Sequence, residues 1–154
     1  MDKRLWAIAV TGILALLVLC VAVPRAQAEE RLFLALQINE GELVIAQPKL
    51  LGAANTPMSM VLADDQRPDR TRVELQLMPV RHGDSYEVEY RLTLPNRLEN
   101  ATGSFSLLHG EEKKLALSRE VQPVTMKLML MRVDSPEFEA YMELAKRRMA
   151  HGTS

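Results

Sequence analysis

From Val73 to Leu94 the chain places an apolar side chain on every second residue. Val73, Leu75 and Leu77 alternate with Arg72, Glu74 and Gln76; Tyr86, Val88, Tyr90, Leu92 and Leu94 alternate with Glu87, Glu89, Arg91 and Thr93. A period of two puts all the apolar groups of a strand on one face and all the polar groups on the other. Arg81-His82-Gly83-Asp84 between the runs is turn chemistry, with Gly83 free to take positive φ. The pattern predicts a long antiparallel hairpin with one dry and one wet face.

The same period recurs on both sides of this hairpin. Leu32, Leu34, Leu36 and Ile38 alternate with Phe33, Ala35 and Gln37; Asn39-Glu40-Gly41 turns the chain; Glu42–Ala46 resumes as a strand that Pro48 ends or confines to an edge. Met58, Met60 and Leu62 form another strand, followed by a polar loop over Asp64–Arg70. Pro95–Gly103 reads as a loop, Phe105 and Leu107 as a strand, His109–Glu112 as a turn, and Leu115 with Leu117 as a short strand. Val124–Val133 is the last strand, with Val124, Met126, Leu128 and Leu130 on one face. Turn signals about every ten residues favour a β-sandwich. The period then changes. Ser135 is a good N-cap, Pro136 suits the first helical position, and Glu137 and Glu139 complement the helix N-terminus. Phe138, Tyr141, Met142, Ala145 and Met149 share a helical face. The expected fold is a mainly β, antiparallel β-sandwich of about seven to eight strands with one C-terminal α-helix over about 136–150.

The first 28 residues follow different rules. Lys3 and Arg4 precede Leu5–Val23, a run of 19 residues without a charge; Pro24 follows, and then Ala26-Gln27-Ala28 supplies small residues at the −3 and −1 positions of a cleavage site. This is the pattern of a secretory signal peptide over residues 1–28. At about 1.5 Å per residue the run spans about 28 Å, so a retained transmembrane anchor over 5–23 is the alternative. Leu19 before Cys20 disfavours lipidation, because a small residue normally stands there. Cleavage leaves a single domain, 29–154, in the periplasm or secreted. Lys3, Arg4, Arg25 and Asp2 leave with the leader, so 16 basic stand against 19 acidic residues, and the only cysteine is gone. Such a domain has no disulfide, thiol nucleophile or thiolate metal site. Its acidic balance gives no polyelectrolyte drive toward nucleic acid.

Candidate chemistry is sparse. His82, His109 and His151 lack metal-ligand spacing. Two Met-x-Met pairs, Met58/Met60 and Met129/Met131, place two thioethers on one strand face and form the alternative metal reading, a site for Cu(I) or a small apolar ligand. Methionine also fills irregular cores, and each pair is embedded among Leu and Val. Ser104 or Ser106 with His109 and Asp84 makes a nucleophilic set only on paper, since no Gly-x-Ser-x-Gly is present. Asp64-Asp65 is a carboxylate pair on a loop. Arg67, Arg70, Arg72 and Arg81 are interleaved with acids. We expect no catalytic residue, no cofactor and no metal.

The order Ala46-Gln47-Pro48-Lys49-Leu50, then Leu75-Gln76-Leu77-Met78-Pro79-Val80, then His82-Gly83-Asp84, then Leu108-His109-Gly110-Glu111 before Leu115-Ala116-Leu117 resembles the core pattern of bacterial secretins, the outer-membrane channels of type II and III secretion and type IV pilus systems. The resemblance covers about residues 46–117. The chain has no room for the ring-building domains that precede such a core, so it is too short to be a secretin itself. The resemblance implies a stand-alone accessory domain linked to a secretion or pilus system. The expected function is therefore non-enzymatic: a cell-envelope domain that meets a protein partner through an exposed strand edge or an apolar patch, with Met126, Met129 and Met131 as candidate contact residues. No nucleic-acid partner is expected, and the membrane is met only through an uncleaved N-terminal segment.

Overall fold

A computed structural model describes residues 29–63, 72–95, 97–118 and 122–151; the expected leader and the Asp64–Arg70 loop lie outside them. Nine strands and one helix follow in order: β1 (Arg31–Glu40), β2 (Leu43–Ala46), β3 (Lys49–Ala53), β4 (Met58–Leu62), β5 (Val73–His82), β6 (Ser85–Leu94), β7 (Leu98–Leu108), β8 (Glu112–Ala116), β9 (Val124–Arg132) and α1 (Pro136–His151). Two antiparallel sheets result. The first has the order β2-β1-β9-β8, with β3 also pairing to β1; the second is the meander β4-β5-β6-β7.

The inward faces of the two sheets build one core. In the first sheet Leu34 lies opposite Leu130, Leu36 opposite Leu128, and Ile38 opposite Met126. In the second, Leu75 and Leu77 lie opposite Leu92 and Tyr90. Leu34, Ile38, Met126, Leu128, Leu130 and Val88 are wholly closed to solvent. The alternation read from the sequence is thus the alternation between core and outer face. β-Sandwich and C-terminal helix are as expected, with nine strands rather than seven to eight.

Two segments differ from the sequence reading. Residues 49–53, given no strand by periodicity, form β3, which continues the β2 pairing along β1 after a break at Gln47-Pro48. The Leu36 amide donates to the Pro48 carbonyl at 2.9 Å and keeps the broken hairpin together. Residues 98–103, read as loop, are the first half of β7. Asn100 sits at φ 50°, and the β6–β7 register shifts between Leu92 and Leu94. Gly103 lies opposite Tyr90, whose ring covers it: a methyl added there would stand 2.8 Å from the phenolic oxygen. Tertiary cover therefore holds a strand whose own residues are poor strand formers.

The helix lies on the outer face of the first sheet. Ser135 Oγ accepts the Phe138 amide at 3.2 Å and donates to the Arg132 carbonyl at 2.6 Å, so one hydroxyl both caps the helix and ties it to β9. The Phe138 and Tyr141 rings meet Phe33 at 5.2 and 5.4 Å between centroids. Only part of the expected apolar face is used. Phe138, Tyr141 and Ala145 are half-buried, whereas Met142 and Met149 face solvent. Among the described residues no helix is long and apolar enough to cross a membrane.

Candidate functional site

A sandwich of two open sheets has two sides where edge strands meet solvent. On one side β3 and β4 follow each other through residues 54–57, which carry the chain from the first sheet to the second. The Ala54 amide donates to the Glu30 carbonyl and the Asn55 amide to the Pro79 carbonyl, at 2.9 and 2.7 Å, so the crossing is pinned to both sheets. Asn55 takes φ 60°, a conformation asparagine tolerates, and its Oδ1 accepts the Arg81 amide at 3.2 Å. Close approach continues beyond the crossing. A methyl added at Gly52 would stand 2.5 Å from the Met58 sulphur, so the Met58 side chain packs directly on the bare backbone of Gly52.

One end of this side is fastened by charge. Arg81 Nη1 stands 3.3 Å from Glu30 Oε2, and Arg81 Nε donates to the Gly83 carbonyl at 3.0 Å. Tyr86 is closed to solvent beside them. Its burial, together with the hydrogen bond it makes to Glu30, pushes its phenol up to about 12.

The strands that flank this crossing expose apolar side chains. Leu43 and Val44 on β2 are 66% and 44% exposed, Leu51 on β3 is 56%, and Val61 and Leu62 on β4 are 59% and 41%. Of these strands β2 and β4 both lack charge and proline, but β2 has four residues and its pairing with β1 is broken by a register shift between Ile38 and Asn39, whereas the five residues of β4 pair in even register. The β4 sequence, Met-Ser-Met-Val-Leu, has neither a charge nor a proline, the two devices that usually blunt an edge. It pairs with β5 only from Leu77 to Val73. Among the described residues no side chain hydrogen-bonds to its backbone. Periodicity alone missed Val61 and Leu62, because exposure here follows from strand order. The signal available was the unbroken run Met60-Val61-Leu62.

The methionines singled out from sequence lie elsewhere. Met126 is in the core, and Met131 is closed to solvent on the outer face opposite Phe33. Met129, opposite Ala35, is half-buried. β9 is also central in its sheet, between β1 and β8. The expectation of an exposed, methionine-rich contact strand is therefore corrected: Met126 and Met131 are packing residues. Met58 and Met60 face the core of the second sheet and Met129 and Met131 the outer face of the first, so the two pairs do not converge.

The polar candidates are also placed. His109, in the β7–β8 turn, uses both ring nitrogens. Nδ1 accepts the Arg132 amide at 3.1 Å, so Nε2 carries the proton and faces Glu137 Oε2 at 3.1 Å. That contact, with the Glu137 backbone amide second, holds the Glu137 carboxyl below the usual carboxylate range. Engaged on both sides, His109 has no lone pair left for a serine. Ser104 and Ser106 stand exposed on β7 and Asp84 in the β5–β6 turn. His82 pairs with Glu87 at 3.5 Å, and Arg72 with Glu74 at 2.6 Å. The Asp64-Asp65 pair with Arg67 and Arg70 lies outside the described residues, as does the side chain of His151. Among the described residues no group of three or more His, Cys, Asp or Glu is placed to hold a metal.

The chain matches no family model, no curated protein and no solved structure.

Proposed function

We propose that this chain is an exported, non-enzymatic domain of the cell envelope that binds a protein partner by strand addition to β4. The observation that carries this reading is the character of that edge: uncharged, proline-free, with Val61 and Leu62 open to solvent. An incoming strand would take up the unpaired backbone groups of β4, and its outward side chains would rest beside Val61. The secretory pattern of residues 1–28 supports an envelope location, and the secretin-like order of residues 46–117 supports a partner in a secretion or pilus system.

The test is site-specific photocrosslinking in envelope extract. A photoreactive residue at Val61 is expected to give a discrete protein adduct, and the same residue at Ser104, on the opposite edge strand, is expected to give none. Val61→Lys in a chain carrying the probe at Ser59 should abolish the adduct. Equal labelling from Val61 and Ser104, or none from either, would refute the reading.

A further inference from the structure

The seat of the helix leaves a groove that protein contact at β4 does not use. Phe138 and Tyr141 hold the first half of α1 against Phe33. Beyond Tyr141 the second half stands over two adjoining cavities. One, of about 340 Å³, is polar and is walled by Gln37, Gln47, Glu112 and three cations, Lys49, Lys127 and Arg148. The other, of about 260 Å³, is mainly apolar and is walled by Leu144, Ala145 and Met149. Lys49, Tyr141 and Arg148 border both.

The charges in the polar cavity do not cancel. Glu112 is engaged by Lys127 at 3.5 Å. Among the described residues neither Lys49 nor Arg148 has a carboxylate within ion-pair distance. The Lys49 ammonium rests 5.9 Å from the centre of the Tyr141 ring, which fixes it at the boundary of the two cavities. On the apolar side Leu144 is 55% and Met149 69% exposed, although the neighbouring ring of Tyr141 and methyl of Ala145 are half-covered. Two unneutralised cations thus stand next to an unfilled apolar wall.

We infer that this groove binds a single-chain anionic amphiphile, with its carboxylate or phosphate head between Lys49 and Arg148 and its alkyl chain along Leu144 and Met149. Paired cations at the head answer the charge, and burial of Leu144 and Met149 against the chain removes apolar surface from water. The polar cavity lies between helix and sheet, and the apolar one, walled by α1 and Lys49, is small. Both features fit one molecule with one chain rather than the face of a bilayer.

Calorimetric titration of the full chain with sodium decanoate, kept below micelle formation, tests this. Decanoate should bind. Decyltrimethylammonium, with the same chain and the opposite charge, and butyrate, with the head and almost no chain, should each bind at least about tenfold more weakly. Both K49E/R148E and L144S/M149S alter exposed or half-exposed side chains; each should weaken decanoate by about tenfold or more with the far-ultraviolet circular dichroism unchanged. Equal affinity for decanoate and decyltrimethylammonium, or undiminished binding by K49E/R148E, would overturn the inference. So would adsorption to phosphatidylglycerol vesicles without binding of monomeric decanoate, which would make the groove a membrane contact.

Discussion

The two open sides of the sandwich end in different ways. On the β7–β8 side the edge is closed by its own side chains. Glu111 Oε2 accepts the Leu108 amide at 2.7 Å, and the Lys113 ammonium donates to the Ser106 carbonyl at 2.9 Å, so a donor and an acceptor of β7 are both taken. β8 adds Glu112, Lys113 and Lys114, charges that repel an incoming strand. On the β3–β4 side the effort goes into joining the sheets: the Gly52–Met58 approach, the pinned Ala54-Asn55 crossing and the Glu30–Arg81–Tyr86 cluster. The strands there expose Leu51, Val61 and Leu62, and β4 carries no charge. One side is firm within and open outward, and the other is guarded. The same sandwich core supports both, so the difference lies in the edge residues alone.

The largest effect should come from the core the two sides share. Leu128 on β9 is wholly closed to solvent and lies opposite Leu36. Leu128→Ala is expected to cost about 2–5 kcal/mol, the range for deleting a buried leucine without collapse of the site. Denaturant unfolding should remain a single transition seen alike by circular dichroism and by tyrosine fluorescence, because both sides rest on that core. A variant that melted the β3–β4 side separately would show that the comparison concerns two units rather than two edges.

Next is the close approach on the open side. Gly52→Ala forces a methyl to within 2.5 Å of the Met58 sulphur and is expected to cost about 1–3 kcal/mol. Met58→Ala in the same chain should recover part of that loss, a coupling that a double-mutant cycle measures. Simple additivity of the two losses would mean that β3 and β4 are not held by this contact. Among the described residues the β7–β8 turn has no glycine under such a close approach, so Gly110→Ala tests a different quantity: Gly110 stands at φ 78° with no neighbour near its missing methyl, and the cost is backbone strain alone.

How much of this was legible in the sequence follows from the kind of information each feature needs. The β5–β6 hairpin was legible in full, because strict alternation states which face of each strand is dry. The helix and its cap at Ser135 were legible because capping is local chemistry. β3 was not, since Leu50-Leu51-Gly52-Ala53 has no polar residue to mark a face. The first half of β7 was not, because Asn100 and Gly103 read as turn residues until Tyr90 is known to lie across from Gly103. The candidate site was hidden for a different reason. Alternation tells inside from outside but not centre from edge, so it gave β9 and β4 equal claim to be exposed. Met131 faces outward as the pattern says, yet it is closed to solvent on the face where Phe138 and Tyr141 meet Phe33, and the destination of a helix is not written in its own periodicity.

Alkaline titration should loosen the open side first. Tyr86 has its pKa raised, to about 12 against an ordinary value of 10.0. A raised value means that folding favours the protonated phenol. The stabilisation is fully present below about pH 10 and is lost as the pH rises toward about 12, when the phenolate must form beside the Glu30 carboxylate. The shift sets the loss at about 1–3 kcal/mol. Tyr86→Phe should remove that pH dependence while leaving the neutral-pH fold in place. Hydrogen exchange should show the Ala54-Asn55 amides opening before those of β8. An unchanged stability curve between pH 10 and 12 in the wild-type chain would sink this account of the cluster.

The smallest change in stability should accompany the most direct test of the comparison. Glu111→Ala with Lys113→Ala strips the two side chains that occupy the backbone of β7, at a cost of about 1 kcal/mol or less, because both contacts are exposed and water replaces them. Stability is not the informative readout. With Leu108 already 55% exposed, the freed edge acquires the features that β4 has natively, an apolar side chain and unclaimed amides. Self-association measured by sedimentation should therefore rise in this variant and fall in Val61→Lys, which gives β4 the charge it lacks. If the double alanine variant stays monomeric at concentrations where the parent chain associates, edge chemistry is not what separates the two sides, and the assignment of β4 as the docking strand falls with it.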